Sequence, residues 1–467
     1  MTVTTTNSAD AAGPFPGIRQ ITNDLTTNHR LDMNHNFSPD GMWLVYDTRV
    51  DEMTTSRTIE KVHVETGEKV VLYRAESSDR ETGTGIGAVS YFPNRDEVVF
   101  IHGLGNGLQY GFTRRTGAIV PGDGSAATDP TRVRWADARD ITPPFTPGAL
   151  RGGSHRHDPG GPDGQWIGYT YNDAIMAAQD RDLRTLGVTH LGIPVSVDVD
   201  PENRSSEGFS AVIVNVKPMD EVDPSPESEE IYRATDDQWI GTRGYRKPDG
   251  SWQLARAFIG HMRRHGDDGE LRDHTEVFVV EIPEDITVPG PDGPLEGTAT
   301  AFPAPPLGTV QRRLTNTPRG CRGLVRSTSD GALLAFISLS DEMTPQIFVI
   351  SPHNEMDRAK LDQAARDAGA LRQVTAFPGG VREPACWLPD DIHFVTTTRG
   401  ALVVVNALTG TWRNLTEQLP IRPNSLVVSP DGKRVAFNGV VPLDSNEPSG
   451  PRSIQIFVTD IVLPDSD

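Results

Sequence analysis

Arg312-Arg313-Leu314-Thr315, Arg372-Gln373-Val374-Thr375 and Arg413-Asn414-Leu415-Thr416 share one pattern, Arg-x-apolar-Thr. Each is followed, 14 residues after its threonine, by a tight turn: Ser329-Asp330-Gly331, Pro389-Asp390-Asp391 and Pro430-Asp431-Gly432. A fourth copy, Arg19-Gln20-Ile21-Thr22, stands 17 residues before Pro39-Asp40-Gly41. A fixed spacing of this kind marks a repeat fold, in which one supersecondary unit stacks on the next. After each turn comes a run rich in β-branched and aromatic residues, such as Trp43-Leu-Val-Tyr46, Leu333-Leu-Ala-Phe-Ile337 and Arg434-Val-Ala-Phe437. A second such run follows, at residues 346–350 and 454–459 for example, and then the Arg-x-apolar-Thr motif. With a short strand before each turn the unit has four strands, the meander of one propeller blade.

The expected fold is therefore all-β, a seven-bladed β-propeller of four-stranded antiparallel blades. The spacing sets the blades near residues 31–75, 86–125, 150–200, 205–315, 322–376, 380–417 and 421–463. Residues 1–16 read as a disordered tail and residues 17–463 as a single domain. The seventh unit offers only three strands, while Arg19 to Thr22 is a fourth-strand motif with no blade before it. Pairing the two removes two open sheet edges, so the ring is expected to close through residues 19–22. The fourth unit carries an acidic insertion (220–230) and a Pro/Gly-rich excursion (288–306); residues 356–370 in the fifth read as a short exposed helix.

Composition agrees and narrows the function classes. Hydrophobic residues make up 36% of the 467, with 45 glycines and 37 prolines, which suits many short strands and turns rather than helices. The net charge of −20, with no basic run to offset it, disfavours nucleic acid and anionic membranes as partners. No stretch approaches the length of a membrane-spanning helix. Two cysteines, Cys321 and Cys386, give no disulfide framework, and the N-terminus carries no secretory signal. The expected location is the cytoplasm.

The innermost strand of each blade lines the central channel, so chemistry is sought just upstream of the turns. His155 and His157 are two apart on an expected strand and so leave the same face. Two imidazoles on one face begin a divalent-metal site; hydrogen bonding to channel water or backbone is the other reading of the pair. His35, Asp32 and Asp158 are the candidates for a third ligand. Arg151, ahead of a Gly-Gly pair, suits bidentate recognition of a carboxylate or phosphate, or else a salt bridge between blades. His29, Arg30 and Asp32 are candidate substrate contacts at the channel entrance.

Asn28-His29-Arg30-Leu31, Phe37-Ser-Pro-Asp-Gly-Met-Trp-Leu-Val-Tyr-Asp47, Thr146-Pro-Gly-Ala-Leu-Arg-Gly-Gly-Ser-His155-Arg-His157 and Tyr169-Thr-Tyr-Asn-Asp173 resemble the bacterial YidR-type proteins. The resemblance runs over most of the chain. Those proteins are uncharacterised and are grouped with TolB-like propellers. More distantly the chain is similar to the oligogalacturonate lyases, intracellular seven-bladed propellers. That similarity implies a divalent metal, manganese or similar, held in the channel by a Gln-x-x-His-x-His motif. His155 and His157 match its histidines, whereas Gly152 stands at the glutamine position.

What the resemblance implies is a carbohydrate-active propeller, a metal-assisted lyase that cleaves uronate-containing oligosaccharides by β-elimination. The metal would acidify the C–H beside the carboxylate, His35 or else a tyrosine or lysine would take the proton, and an arginine such as Arg151 would stabilise the enolate-like charge. The alternative is a non-catalytic TolB-like scaffold whose loop faces hold a protein partner.

Overall fold

A computed structural model describes residues 15–464 of the chain, apart from 33–34, 106, 182, 362 and 444–449. The expected disordered tail lies almost wholly outside the described residues.

The threonine of each repeat explains why the pattern recurs. At Thr22, Thr315, Thr375 and Thr416 the hydroxyl accepts the backbone N–H of Ile456, Val277, Ile347 and Leu402 at 2.9–3.0 Å. Each donor lies on the strand that pairs with the motif. The side chain thus satisfies a donor that would be orphaned where the outer strand leaves the ladder. The apolar residue before each threonine donates its own N–H back to the same partner residue, as Leu314 does to Val277 at 2.8 Å. The Ser-Pro-Asp-Gly turns work by the same economy. Ser38 and Ser429 accept the N–H five residues on, from Trp43 and Arg434, and bond the turn aspartates Asp40 and Asp431.

Seven antiparallel sheets stand in a ring. Blades two to six hold four strands each and run in chain order, from Ile86–Tyr91 innermost in blade two to Trp412–Asn414 outermost in blade six. Blade one has Trp43–Asp47, Thr58–His63 and Lys69–Arg74, with its innermost position filled by a segment bridged at Arg30–Asp47 and Phe37–Leu44. Blade seven is ordered Ile18–Gln20, Arg452–Asp460, Arg434–Pro442, Asn424–Val428. Ile18, Arg19 and Gln20 pair antiparallel with Thr459, Val458 and Phe457, so the ring closes where the sequence placed it.

Seven buried apolar clusters, one per seam, hold the blades together. In the closing seam Leu44, Tyr46 and Val62 of blade one pack on Val427, Ile456 and Val458 of blade seven. The next seams follow suit, with Ile59 and Leu72 against Val98 and Phe100 between blades one and two. The outer strands of blades two and three lie further along than the repeat spacing placed them. They are Arg134–Trp135 and Ser206–Val212, and the second had been counted in blade four. Neither carries the Arg-x-apolar-Thr motif, so no local signal marked it. Two short helices, Glu355–Arg358 and Gln363–Ala368, occupy the segment read as helical.

Replacing Thr22 with valine keeps the volume and removes the hydroxyl that caps Ile456. A loss of about 1 kcal/mol in urea unfolding is expected, matched by Thr416→Val in blade six. An unchanged midpoint for Thr22→Val alone would show that residues 18–22 do not seal the ring.

Candidate functional site

Five inner strands carry the same defect at the same rung. The ladder slips by one residue between Gly87 and Ser90, His155 and Asp158, Thr235 and Gln238, and Asn424 and Val427, and by two between Arg322 and Arg326. In each slip one residue is left-handed: Ala88, Arg156, Asp236, Gly323 and Ser425, with φ between 52° and 72°. A bulge of this kind sets two residues against one and reverses the alternation of faces beyond it.

That reversal separates the two histidines of blade three. His155 lies opposite Thr170 and faces Arg184, whose Nη2 is 3.4 Å from His155 Nδ1 and 2.8 Å from Thr170 Oγ1. His157 is fully buried on the other face, in the seam with blade two. Its Nε2 is 2.9 Å from Ser154 Oγ and 3.6 Å from Asp137 Oδ1, and its ring lies 5.8 Å from that of Tyr169. The expectation that both imidazoles share a face is therefore corrected, and the pair does not fit one metal ion. Among the described residues no group of three His, Cys, Asp or Glu side chains converges as a metal site requires. Ser154, His157 and Asp137 are not a catalytic triad either. Serine and aspartate meet the same ring nitrogen, whereas a triad needs the acid on the other one.

Arg151 also differs from its expected role. It is fully buried and gives its donors to Asp173, at 3.0 Å from Nε, and to the carbonyls of Thr298 and Ala301. Tyr171 bonds the same Asp173 oxygen at 2.9 Å. Arg151 thus ties the 288–306 excursion onto blade three and turns no donor to the channel. His29 is likewise buried, 4.9 Å from the Tyr46 ring in the closing seam, and burial pulls its pKa down to about 4. Arg30 bonds the carbonyls of Arg49 and Val50.

Other expected residues do meet in the channel. His35 Nδ1 lies 3.7 Å from Asp158 Oδ1. Asp158 in turn accepts Arg256 at 3.1 Å, and Arg256 holds Asp237. The guanidinium of Arg256 has room because Gly168 faces it; a Cβ there would sit 1.9 Å from Nη1. Asp32 lies beside Arg49 and Arg156, at 3.7 and 3.5 Å, and burial pushes its carboxyl up against the pull of both. The far end of the channel is lined by every blade: His35, Pro93, Gly160, Trp239, Thr328, Leu388 and Ser429 each contribute.

At the end where the inner strands begin, blades three and four frame a cavity of about 420 Å³. His155, Arg156, Thr170, Arg184, Arg233 and His261 line it, together with Asp236 and Asp237. Asp237 is occupied by Arg256, and Asp236 accepts Thr235 Oγ1. Arg184 bonds only the neutral partners His155 and Thr170, and among the described residues neither it nor Arg233 is ion-paired. Burial, then repulsion from Arg115 and Arg233, lowers the Arg184 pKa to about 10. Burial, then Arg115, Arg184 and Arg156, hold His155 well below the usual imidazole value, so it is neutral at pH 7. The arrangement is an anion site with a proton acceptor beside it. Sequence reading missed Arg184, Arg233 and His261. Arg233 opens an inner strand, the position the channel rule favours, but the acidic insertion before it hid where that strand begins.

The chain matches, over residues 85–204, a family described as a protein of unknown function (DUF3748). It is 34% identical over 431 residues to the uncharacterized protein YidR of Escherichia coli strain K12, a match covering 88% of this chain and 92% of that one. Among solved structures it is similar to a puromycin-hydrolyzing peptidase of Mycobacterium tuberculosis, with a TM-score of 0.50, 13% identity and coverage of 94% of this chain and 54% of the other. It is also similar to oligogalacturonate lyase from Vibrio parahaemolyticus, with a TM-score of 0.46, 11% identity and coverage of 95% and 93%. The likeness to the peptidase is one of fold alone. Among the described residues no helix is long and apolar enough to cross a membrane.

Arg151→Ala leaves Asp173 charged and buried without its partner, so it is expected to cost about 3–5 kcal/mol of stability. Thermal unfolding reads this directly. A variant as stable as the parent would release Arg151 from the structural role given to it.

Proposed function

The chain belongs to the YidR family, and we propose that it is a carbohydrate-active propeller that binds uronate-containing oligosaccharides at the channel mouth and cleaves them by β-elimination. One observation carries the reading. Arg184 and Arg233, free of ion pairs among the described residues, converge on one cavity with the neutral imidazole of His155. A protein of net charge −20 that keeps two such guanidiniums at a cavity mouth is poised to attract and orient an anion. The planar fork of arginine matches a carboxylate.

The proposed chemistry uses these three side chains. A uronate carboxylate that takes the Arg184 guanidinium releases His155 Nδ1 from its contact at 3.4 Å. The freed lone pair accepts the proton at C5, next to the carboxylate. The C5–H electrons form the C4–C5 double bond, the C4–O bond breaks, and the departing oxygen is protonated from solvent. One fragment carries the unsaturated uronate, the other a new chain end, and no water is added across the bond. Charge that develops on the carboxylate is held by Arg184 and Arg233, the role of an oxyanion site. Arginines thus take the part that the family resemblance would give to a metal. The two buried free thiols, Cys321 and Cys386, suit a reducing compartment, so the reading is of a cytoplasmic protein.

The test is a 235 nm absorbance assay over oligogalacturonates, run with and without a chelator. Unsaturated product is expected in both arms, and silence across the series overturns the lyase reading. Arg184→Ala and Arg233→Ala are each expected to weaken oligogalacturonate binding by about 10- to 100-fold, the usual value of a charge-assisted bond to an anion. Binding is needed with Arg184 protonated, and its pKa is lowered to about 10. Affinity should therefore hold through neutral pH and fall as pH rises towards 10, whereas acidification to pH 6 leaves the cation intact.

A further inference from the structure

The arginine cavity does not end at Arg184 and Arg233. Both residues also line a second cavity of about 350 Å³, whose other walls are Phe112, Asn172, Leu183, Met219 and Tyr232. Phe112 comes from the segment between the second and third strands of blade two and is 51% exposed. Met219 immediately precedes the acidic insertion of blade four and is 45% exposed. Tyr232 immediately precedes the inner strand of blade four, with its ring 5.8 Å from His261 of the first cavity. Blades two and four thus contribute exposed apolar surface beside an anion site, in a chain of net charge −20.

We infer that this second cavity is a sugar subsite. It stacks the ring next to the anionic residue against Phe112 and Tyr232, and so sets a preference for oligosaccharides over the single uronate. The inference rests on the anion reading of the first cavity and adds the length and shape of the ligand. A pyranose offers an apolar face of C–H bonds and a rim of hydroxyls. Aromatic faces beside guanidinium donors match both sides of that ring. The shared arginines fix the geometry: the carboxylate sits between Arg184 and Arg233, and the neighbouring sugar lies over Phe112. A purely apolar ligand would leave the two arginines desolvated and unpaired, which is unfavourable.

Calorimetric titration of the full chain with galacturonate, trigalacturonate, neutral maltotriose and inorganic phosphate tests this. The expected result is that trigalacturonate binds at least about tenfold more tightly than galacturonate, the contribution of one aromatic stacking contact. Phe112→Ala should remove most of that ratio and Phe112→Trp restore it; the position is exposed, and circular dichroism checks that both variants fold. Equal affinity for monomer and trimer in the parent, or an unchanged ratio in Phe112→Ala, overturns the subsite while leaving the anion reading in place. Failure of the parent to bind either galacturonate overturns both. Tighter binding of maltotriose than of trigalacturonate, or of phosphate than of galacturonate, reassigns the ligand and overturns the inference.

Discussion

Closing seven sheets into a ring leaves each blade one strand's worth of side chains to present at the axis, and the mouth of the channel depends on that constraint. A regular strand would show every second residue to the same side. Five inner strands break this rule with a left-handed residue at one shared rung. The bulge turns His155 towards Arg184 and sends His157 into the seam with blade two, so the site is built by a backbone defect as much as by side-chain choice. Blade three bends at Arg156, and the guanidinium of that residue reaches Asp32 of blade one, 3.5 Å away. Ring geometry and bulge together bring residues more than 120 positions apart in sequence to one rim.

The arginines of this acidic chain divide by what they face. Arg151 and Arg256 are fully buried and meet carboxylates there: Asp173 in one case, Asp158 and Asp237 in the other. Such pairs offset their own desolvation and fix how loops and blades sit, without adding much net stability. Arg184 is half-buried beside Arg115 and Arg233, with Asp236 and Asp237 in the same cavity, and bonds only neutral groups. A cation kept in that state costs stability at the site, which is the usual mark of a place reserved for a ligand. The proton acceptor beside it is kept neutral by burial and then by Arg115, Arg184 and Arg156, which repel a proton from His155.

The fold was legible because its signals are local and repeated. The threonine cap, the Ser-Pro-Asp-Gly turn and the unpaired fourth-strand motif at residues 19–22 each have a short-range physical cause, and together they called for seven blades and their closure. Outer strands without the threonine, in blades two and three, were misplaced for want of that signal. The site was far less legible. Period-two reasoning put His155 and His157 on one face, and nothing in Ser154-His155-Arg156-His157-Asp158 announces that Arg156 is left-handed, since arginine has no preference for that region. Arg151 carried the look of a ligand contact, but its partners Thr298 and Ala301 lie almost 150 residues away. Arg184 and Arg233 belong to no motif and acquire meaning only when two blades meet.

The most direct test of the account is a crystal structure of the protein grown with trigalacturonate and Mn²⁺ together. The account predicts a uronate carboxylate held between Arg184 and Arg233, with a second sugar over Phe112 and no ion shared by His155 and His157. An ion bound jointly by those two histidines, with the arginines unoccupied, would contradict it.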